Sequence, residues 1–150
     1  SKQRLWTKGE SSGHVLTLKS IRADCDADTL LLQAEPYGPT CHNGTSSCFG
    51  DGTRPPLGFL AELDALVARR DAERPQGSYT TKLFEGGVRR IAQKVGEEGV
   101  ESALAAVAQG DEDLLGEAAD LLFHLTVLLR ARGLSLADVA DLLARRHAAR

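Results

Sequence analysis

The sequence predicts an α+β chain in which a small β-rich segment is followed by an all-α helical bundle. Two observations support this fold class. Hydrophobic residues recur at strand-like spacing in the first third of the chain and at helical spacing in the rest. Between these parts, glycine and proline cluster in FGDGTRPP, from Phe49 to Pro56, and interrupt any regular pattern. We therefore predict one domain over residues 1–52 and a second over residues 53–150.

The β-rich segment contains two candidate strands, VLTLKSIRA and TLLLQAE, which are joined by the acidic turn DCDAD. A segment of about fifty residues with two or three short strands buries too little apolar surface to be stable alone. We therefore expect it to depend on a metal, on oligomerisation or on a further stretch of chain. The sequence begins at Ser1 and contains no methionine, so we also expect an N-terminally shortened or processed chain.

Four helices are expected in the second domain. The first ends before Pro75, and its apolar stripe consists of Leu57, Leu60, Leu63, Leu66 and Val67. The second is expected from about Thr81 to Ala108 and the third from about Glu112 to Arg132, and a glycine follows each of them closely. For the fourth helix, Ser135 and Asp138 have the spacing of a capping box.

Composition argues against several kinds of partner. The net charge of −3 and the absence of a basic face predict that the chain does not bind nucleic acid. Its longest apolar run, LLFHLTVLL, is far shorter than the roughly 20 residues of a membrane span, so no membrane association is expected. Three cysteines cannot form a complete set of disulfides within the chain. We expect free thiols or metal ligands in a reducing, cytoplasmic environment.

Acidic residues are paired on two neighbouring helices. Glu98 and Glu101 are three residues apart, as are Glu117 and Asp120, so each pair lies on one face of its helix. A short connection near Gly110 would make the helices antiparallel neighbours. Four carboxylates could then converge on Mg²⁺ or Mn²⁺, although a solvated acidic surface is the simpler interpretation. Glu97 could join this cluster. Glycines within the same helix, Gly96 and Gly99, suggest that a helix or ligand comes close there.

The first domain has its own candidate metal ligands. The spacings of Cys25, Cys41 and Cys48 match no small zinc-finger pattern, but three ligands with one open position are typical of catalytic zinc. In DCDAD, an extended backbone would place three carboxylates on one side and the cysteine on the other. One short segment could thus serve Mg²⁺ and Zn²⁺. The alternative is an Asx-rich turn that contains a buried cysteine.

The helical domain resembles a known enzyme family. Its ExxE motif, followed after fifteen residues by ExxD, resembles the all-α nucleoside-triphosphate pyrophosphatases of the MazG type. More narrowly, GSYTTKLFEGGVRRIAQKVGEEGVESALAA and EAADLLFHLTVLLRARGLSLADVADLLARRH resemble phosphoribosyl-ATP pyrophosphatase of histidine biosynthesis over most of residues 57–147. The resemblance implies Mg²⁺-dependent cleavage of phosphoribosyl-ATP to phosphoribosyl-AMP and pyrophosphate. The implied metal ligands are Glu98, Glu101, Glu117 and Asp120.

Other residues of this domain are candidates for supporting roles. Glu97 could be a further ligand or could orient the attacking water. Lys82, Arg89 and Lys94 are candidates for phosphate contacts, although basic residues on helices are more often simply exposed. We interpret His124, four residues after Asp120, as a structural histidine that orients this carboxylate at least as readily as a catalytic one.

The first domain resembles the C-terminal portion of phosphoribosyl-AMP cyclohydrolase, which catalyses the following step. The similarity covers LWTKGESSGHVLTLKSIRADCDADTLLLQAEPYGPTCHNGTSSCF, from Leu5 to Phe49. It implies a zinc ion at a dimer interface, held by Cys25, Cys41 and Cys48. It also implies magnesium on Asp24, Asp26 and Asp28.

The same resemblance suggests roles for polar residues. His42 would be the general base for the water that attacks C6 of the adenine ring and opens the N1–C6 bond. Lys8, Glu10 and Ser11 would contact the substrate, or they form only a polar turn. Cyclohydrolases of this family carry about as much chain again before the WTKGE motif, so the resemblance predicts a truncated cyclohydrolase domain.

The favoured hypothesis is a homodimeric, bifunctional histidine-biosynthesis hydrolase that binds phosphoribosyl nucleotides, Mg²⁺ and Zn²⁺. Two alternatives stay open at this point. The chain could be a housekeeping MazG-type pyrophosphatase that acts on noncanonical nucleoside triphosphates. It could also be a metal-stabilised oligomerisation or regulatory module without turnover.

Overall fold

A computed structural model describes residues 5, 7–49, 55 and 57–149. The chain divides into two compact units, Ser1–Arg54 and Pro55–Arg150, and each is described here by itself. The predicted domain boundary between residues 52 and 53, and most of the FGDGTRPP stretch, lie outside the described residues.

The first unit contains an antiparallel hairpin of strands β1, Leu16–Ala23, and β2, Leu30–Pro36. Leu16 pairs with Pro36 at one end, and Ala23 pairs with Leu30 at the other. Within the turn, the Asp24 amide donates to the carbonyl oxygen of Thr29 over 3.1 Å. The two strands that the sequence predicted are therefore confirmed, and DCDAD forms the turn between them.

The hairpin leaves both of its faces uncovered within its own unit. All of β2 is exposed, and so is every residue of β1 except the half-buried Ser20. The exposed residues include large apolar side chains: Leu16, Leu18, Ile21, Leu30, Leu31 and Leu32. An isolated two-stranded hairpin is marginally stable in water, so these side chains favour a further packing partner.

The second unit consists of four helices: α1, Gly58–Glu73; α2, Tyr79–Ala108; α3, Asp111–Ala131; and α4, Leu136–Ala148. The α+β class and the four predicted helices are confirmed. Helix α2 begins two residues earlier than predicted because Ser78 caps it, accepting a hydrogen bond from the Thr81 amide. The predicted capping box of Ser135 and Asp138 is present at the start of α4.

Helix α2 has one internal break, which the sequence analysis did not predict. Gly87 has φ 75° and ψ 173°, a conformation that is strained for any residue with a side chain. It divides α2 into a short segment, 79–86, and a long one, 88–108. Both segments nevertheless contribute to one core, Leu83 and Phe84 from the short segment and Ile91 from the long one.

The core of the helical unit lies between the first three helices. Its buried residues are Val67 of α1, Leu83, Phe84 and Ile91 of α2, and Val127 of α3. Helix α2 packs most extensively against α3, and α4 packs against α1. Among the described residues, no helix is both long and apolar enough to cross a membrane.

Candidate functional site

Three carboxylates converge between the long segment of α2 and α3. Glu98, Glu101 and Glu117 each contribute an oxygen, and these oxygens all lie within 4.8 Å of one another. Glu98 is buried, Glu117 is half-buried and Glu101 is exposed. The helical spacing of Glu98 and Glu101 turns both toward α3, as the sequence predicted for neighbouring helices.

The charges of this cluster are only partly balanced within the protein. Burial and the negative charges of Glu101 and Glu98 raise the pKa of the Glu117 carboxyl. The pKa of Glu98 is lowered instead, because Lys94 donates a hydrogen bond to it and this outweighs the effect of burial. Three oxygen donors with excess negative charge form a donor set that suits a hard divalent cation.

The two remaining acidic candidates lie outside this group of three. Asp120 is exposed, and its charge is close enough to contribute to the raised pKa of Glu117. Glu97 faces other partners: its carboxylate accepts hydrogen bonds from Gln93 over 2.7 Å and from Lys94 over 3.0 Å. The structure therefore brings together three of the five acidic residues that the sequence singled out.

The three basic candidates differ in their surroundings. Lys94 is half-buried and forms ion pairs with Glu98 over 2.7 Å and with Glu97 over 3.0 Å. These hydrogen bonds raise its pKa, so Lys94 is fully charged at neutral pH. Lys82 and Arg89 are exposed on either side of the Gly87 break. Lys94 is thus engaged by the acidic residues themselves, whereas the other two face solvent.

His124 is buried beside the carboxylate cluster. Its Nδ1 lies 2.9 Å from the backbone carbonyl oxygen of Asp120 and 3.6 Å from Oε1 of Glu98. Its Nε2 lies 2.9 Å from the hydroxyl oxygen of Tyr79. The contact with Asp120 is therefore to the main chain rather than to the carboxylate that we expected the histidine to orient. The sequence analysis missed Tyr79, because no local spacing pattern links it to a partner 45 positions away along the chain.

The two glycines noted on α2 have different environments. A Cβ atom added to Gly99 would lie 4.0 Å from Cδ1 of Leu121, which places this glycine against α3. A Cβ atom added to Gly96 would have no neighbour within 4 Å. The expected close approach of a neighbouring helix is thus seen at Gly99, while Gly96 faces open space.

The first unit contains a cleft of about 460 Å³ that collects several of its candidate residues. Lys8, Cys41, His42 and Cys48 line the cleft, together with residues that the sequence analysis did not select: Ser12, His14, Pro39, Thr40 and Gly44. Glu10 and Ser11 are exposed turn residues outside this lining. His14 lies a few residues after the WTKGE motif, within the stretch that resembles the cyclohydrolase, and this position was the available signal.

Two of the three cysteines interact within the cleft. Hydrogen bonds from the Asn43 backbone, the Thr45 side chain and the Cys48 thiol lower the pKa of Cys41. The same contact with Cys41 raises the pKa of Cys48. Nδ1 of His42 lies 3.9 Å from Sγ of Cys41. Two thiols and an imidazole in one cleft are donors that suit zinc.

The third cysteine lies apart, in the turn of the hairpin. Cys25 is exposed there, and the neighbouring Asp24, Asp26 and Asp28 bring carboxylate oxygens within 4.8 Å of one another. Among the described residues, the potential metal-binding groups of three are this triad and the cluster of Glu98, Glu101 and Glu117. The three cysteines do not meet as one group within the described chain.

Comparison with known proteins gives a family to both units. Residues 1–50 match the family model of phosphoribosyl-AMP cyclohydrolase, and residues 60–147 match that of phosphoribosyl-ATP pyrophosphohydrolase. The chain is 71% identical to the histidine biosynthesis bifunctional protein HisIE of Xanthomonas axonopodis pv. citri over 147 residues. This alignment covers 98% of the chain and 70% of the relative. The chain belongs to the family of histidine biosynthesis bifunctional proteins. It is therefore a hydrolase of histidine biosynthesis, as the sequence predicted.

More distant members of the family have the same arrangement. The HisIE proteins of Salmonella typhimurium and Escherichia coli are 58% and 56% identical to the chain. Each alignment covers 98% of the chain and 72% of the relative. The similarity thus extends through both units and is not confined to the helical one.

Proposed function

We propose that the helical unit hydrolyses phosphoribosyl-ATP to phosphoribosyl-AMP and pyrophosphate with the help of Mg²⁺. The observation that carries this proposal is the convergence of Glu98, Glu101 and Glu117 within a chain of the bifunctional family. The exposed Asp120 is the fourth proposed ligand. A divalent cation bound there would neutralise the phosphate oxygens of the substrate, which is the main requirement of this chemistry.

The protein residues around the cluster have complementary roles in this proposal. Glu97, which lies outside the group of three, is a candidate for orienting the attacking water. Lys82 and Arg89 are exposed and can contact the phosphates of the nucleotide. Lys94 keeps the buried carboxylate of Glu98 charged. To contact a phosphate as well, the Lys94 ammonium would have to divide its N–H donors among Glu97, Glu98 and the phosphate. The unit as a whole corresponds to a MazG-like helical bundle.

A time course with phosphoribosyl-ATP and Mg²⁺ tests this function. The substrate, phosphoribosyl-AMP and ring-opened product are separated by chromatography, and pyrophosphate is measured in parallel. We expect pyrophosphate release by the wild type, loss of release in Glu117→Gln, and normal release in Glu112→Gln. Glu112 is the matched control because it is an exposed acid on the same helix.

Two results of this assay would contradict the proposal. Faster hydrolysis of deoxynucleoside triphosphates than of phosphoribosyl-ATP would favour a housekeeping nucleotide pyrophosphatase. A folded protein that binds zinc tightly but releases no pyrophosphate from any triphosphate would favour a non-catalytic module.

We propose that the first unit opens the adenine ring of phosphoribosyl-AMP by hydrolysis, with His42 as general base. The cleft that joins Lys8, Cys41, His42 and Cys48 supports this role. Glu10 and Ser11 are proposed substrate contacts at its margin. A zinc ion would supply a Lewis acid for the attack of water, and magnesium on Asp24, Asp26 and Asp28 would bind substrate phosphate.

In the same time course, His42→Asn is expected to accumulate phosphoribosyl-AMP. His147→Asn, in the exposed last turn of α4, should not accumulate it.

We further propose a cytoplasmic homodimer in which zinc joins two chains. Cys41 and Cys48 share a cleft, but Cys25 lies in the hairpin turn, so a cysteine from a second copy would complete the ligand set. The uncovered apolar faces of the hairpin support such an interface. All three described cysteines are free thiols, which suits a reducing compartment. We place the boundary between the two domains, along the chain, between residues 52 and 53.

Zinc analysis of mixed chains tests the shared site. Cys25→Ser and Cys41→Ser should each lose zinc as pure proteins. When the two variants are refolded together, mixed dimers contain one intact set of three cysteines, so part of the zinc should return. If zinc stays absent although an affinity-tagged Cys25→Ser chain co-purifies with untagged Cys41→Ser, the shared site is excluded.

A further inference from the structure

A buried histidine joins the two segments of α2 beside the proposed metal cluster. His124 of α3 is 3% exposed. Its Nε2 contacts Tyr79 in the short segment before Gly87, and its Nδ1 faces Glu98 in the long segment after it. Because Gly87 interrupts the helix, helical hydrogen bonding does not by itself hold these segments in one relative orientation. His124 therefore fixes Tyr79 relative to Glu98 from outside α2.

The hydrogen bonds define the form of the imidazole. A backbone carbonyl oxygen can only accept, so the Nδ1 atom that lies 2.9 Å from the Asp120 carbonyl must carry a proton. In the neutral ring, Nε2 is then the acceptor, and the Tyr79 hydroxyl donates to it. Tyr79 thereby fixes the ring orientation in which Nδ1–H also faces Oε1 of Glu98 at 3.6 Å.

The Glu98 carboxylate is consequently held from two sides. Lys94 lies 2.7 Å from Oε1, and His124 lies on the side of α3. Among the three clustered carboxylates, Glu98 is the buried one. A buried side chain has little freedom to move when a cation binds, so neighbouring groups must already hold it in the binding position.

We infer that Tyr79 and His124 are positioning residues that preset Glu98 for divalent-cation binding. The inference rests on the proposed metal-dependent function of the helical unit. Tyr79 acts through His124, and His124 acts on Glu98, so neither needs to touch the substrate. Removal of the Tyr79 hydroxyl should weaken cation binding without removing any metal ligand.

Mn²⁺ titration followed by electron paramagnetic resonance tests this inference independently of turnover. The protein is the full chain with Asp24→Asn, Asp26→Asn and Asp28→Asn, so that binding reports on the helical cluster. We expect Tyr79→Phe to weaken Mn²⁺ binding roughly tenfold, the lower end of the range for residues that support metal ligands. Phenylalanine preserves the ring that stacks on Phe123 at 6.1 Å between centroids.

Matched variants separate positioning from general stability. Tyr37→Phe removes the same hydroxyl from the exposed tyrosine of the other unit and should leave Mn²⁺ binding unchanged. His124→Asn, which keeps a donor for the Asp120 carbonyl but has no group at Nε2, should match Tyr79→Phe. Combining His124→Asn with Tyr79→Phe should add little, because one hydrogen bond links the two residues. His124→Gln, which can present an acceptor near Nε2, should recover part of the affinity.

The outcomes are distinct. A lower melting temperature of Tyr79→Phe with unchanged Mn²⁺ affinity would show a merely structural role and overturn the inference. If the wild-type cluster binds Mn²⁺ and Tyr79→Phe weakens it, but no pyrophosphate is released, the inference stands and the proposed reaction fails. If the wild-type cluster binds no Mn²⁺, both are overturned.

Discussion

Nζ of Lys94 lies 2.7 Å from Oε1 of Glu98, one helical turn away on α2. The pair is largely shielded from water: 21% of the lysine side chain and 6% of the glutamate side chain are exposed. A carboxylate in such a position depends on its partner to remain charged. Lys94 therefore makes the buried, charged carboxylate of Glu98 compatible with the folded chain.

Replacement of this lysine should destabilise the metal-free protein. Lys94→Met leaves a buried carboxylate without its main hydrogen-bond donor, so we expect the free energy of unfolding to fall by about 1–3 kcal/mol. Added Mg²⁺ should restore part of the loss, because a bound cation takes over the compensating charge. Denaturant unfolding with and without Mg²⁺ measures both effects. Lys82→Met, at an exposed position of the same helix, should change neither value. Equal stability of Lys94→Met and wild type would refute the dependence of Glu98 on Lys94.

Glu117 should show a trade-off between stability and metal binding. Its carboxyl has a raised pKa because of burial and its acidic neighbours, so its ionisation opposes folding. Between the ordinary value of 4.5 and the raised folded pKa, the folded protein binds more protons at this site than the unfolded chain, so stability falls as pH rises through this range. At neutral pH, Glu117→Gln should therefore have a higher melting temperature than the metal-free wild type. When Asp24, Asp26 and Asp28 are replaced by Asn in both proteins, Mg²⁺ should raise the melting temperature of the protein that keeps Glu117 but not that of the Glu117→Gln variant.

The control for this prediction is again Glu112→Gln, which removes a negative charge from α3 away from the cluster. It should leave the response to Mg²⁺ intact. A lower melting temperature for metal-free Glu117→Gln would mean that the carboxylates do not repel one another in the folded protein.

The fold was more predictable than the site. Apolar periodicity indicated all four helices, and the Ser135 capping signal lies within four consecutive residues, so local sequence was sufficient for both. The Gly87 break was not predicted, although the adjacent glycines were visible, because apolar residues keep the helical period on both sides of it. Convergence of Glu98, Glu101 and Glu117 followed from helical spacing and a short connection.

Contacts that depend on tertiary packing could not be predicted. Tyr79 reaches His124 only when α3 folds back along α2, and neither residue belongs to a local spacing pattern that indicates the other. The grouping of Cys41 with Cys48, and the separate position of Cys25, depend on how a loop closes beside the hairpin. Sequence spacing indicated which residue types could bind metal, but it did not indicate which of them come together in the folded chain.

The capping box of α4 should make stability depend on pH in the acid range. Asp138 accepts hydrogen bonds from the Ser135 amide over 2.8 Å and from its hydroxyl over 2.7 Å, and these bonds lower the pKa of the aspartate. Because the folded value is the lower one, the stabilisation is present above the ordinary value of 3.8. It is lost as pH falls through the folded pKa.

Ser135→Ala tests this cap. At neutral pH it should lower the free energy of unfolding by about 1 kcal/mol. The difference from wild type should shrink in acid below the folded pKa of Asp138, where wild type has also lost the charged acceptor. Asp138→Asn should flatten this part of the pH profile, as followed by denaturant unfolding at several pH values. A deficit of Ser135→Ala that is constant with pH would rule out the charge-assisted cap.

The glycine at position 96 is not required by packing within the protein. Gly96 lies in the interior of α2, and a Cβ atom there would meet no atom within 4 Å beyond its chain neighbours and the adjacent helical backbone. Gly96→Ala should therefore raise the free energy of unfolding by about 0.5–1 kcal/mol, because alanine loses less backbone entropy on folding. Protein packing does not explain the glycine, so we expect the substrate to pass close to it. Gly96→Ala should accordingly raise KM for phosphoribosyl-ATP while increasing thermal stability.

Gly99→Ala is the matched control, because a Cβ atom at position 99 would make an ordinary contact with Leu121 at 4.0 Å. This substitution should stabilise the protein without changing KM. A Gly96→Ala protein that is both more stable and kinetically normal would place the substrate elsewhere on the helical surface.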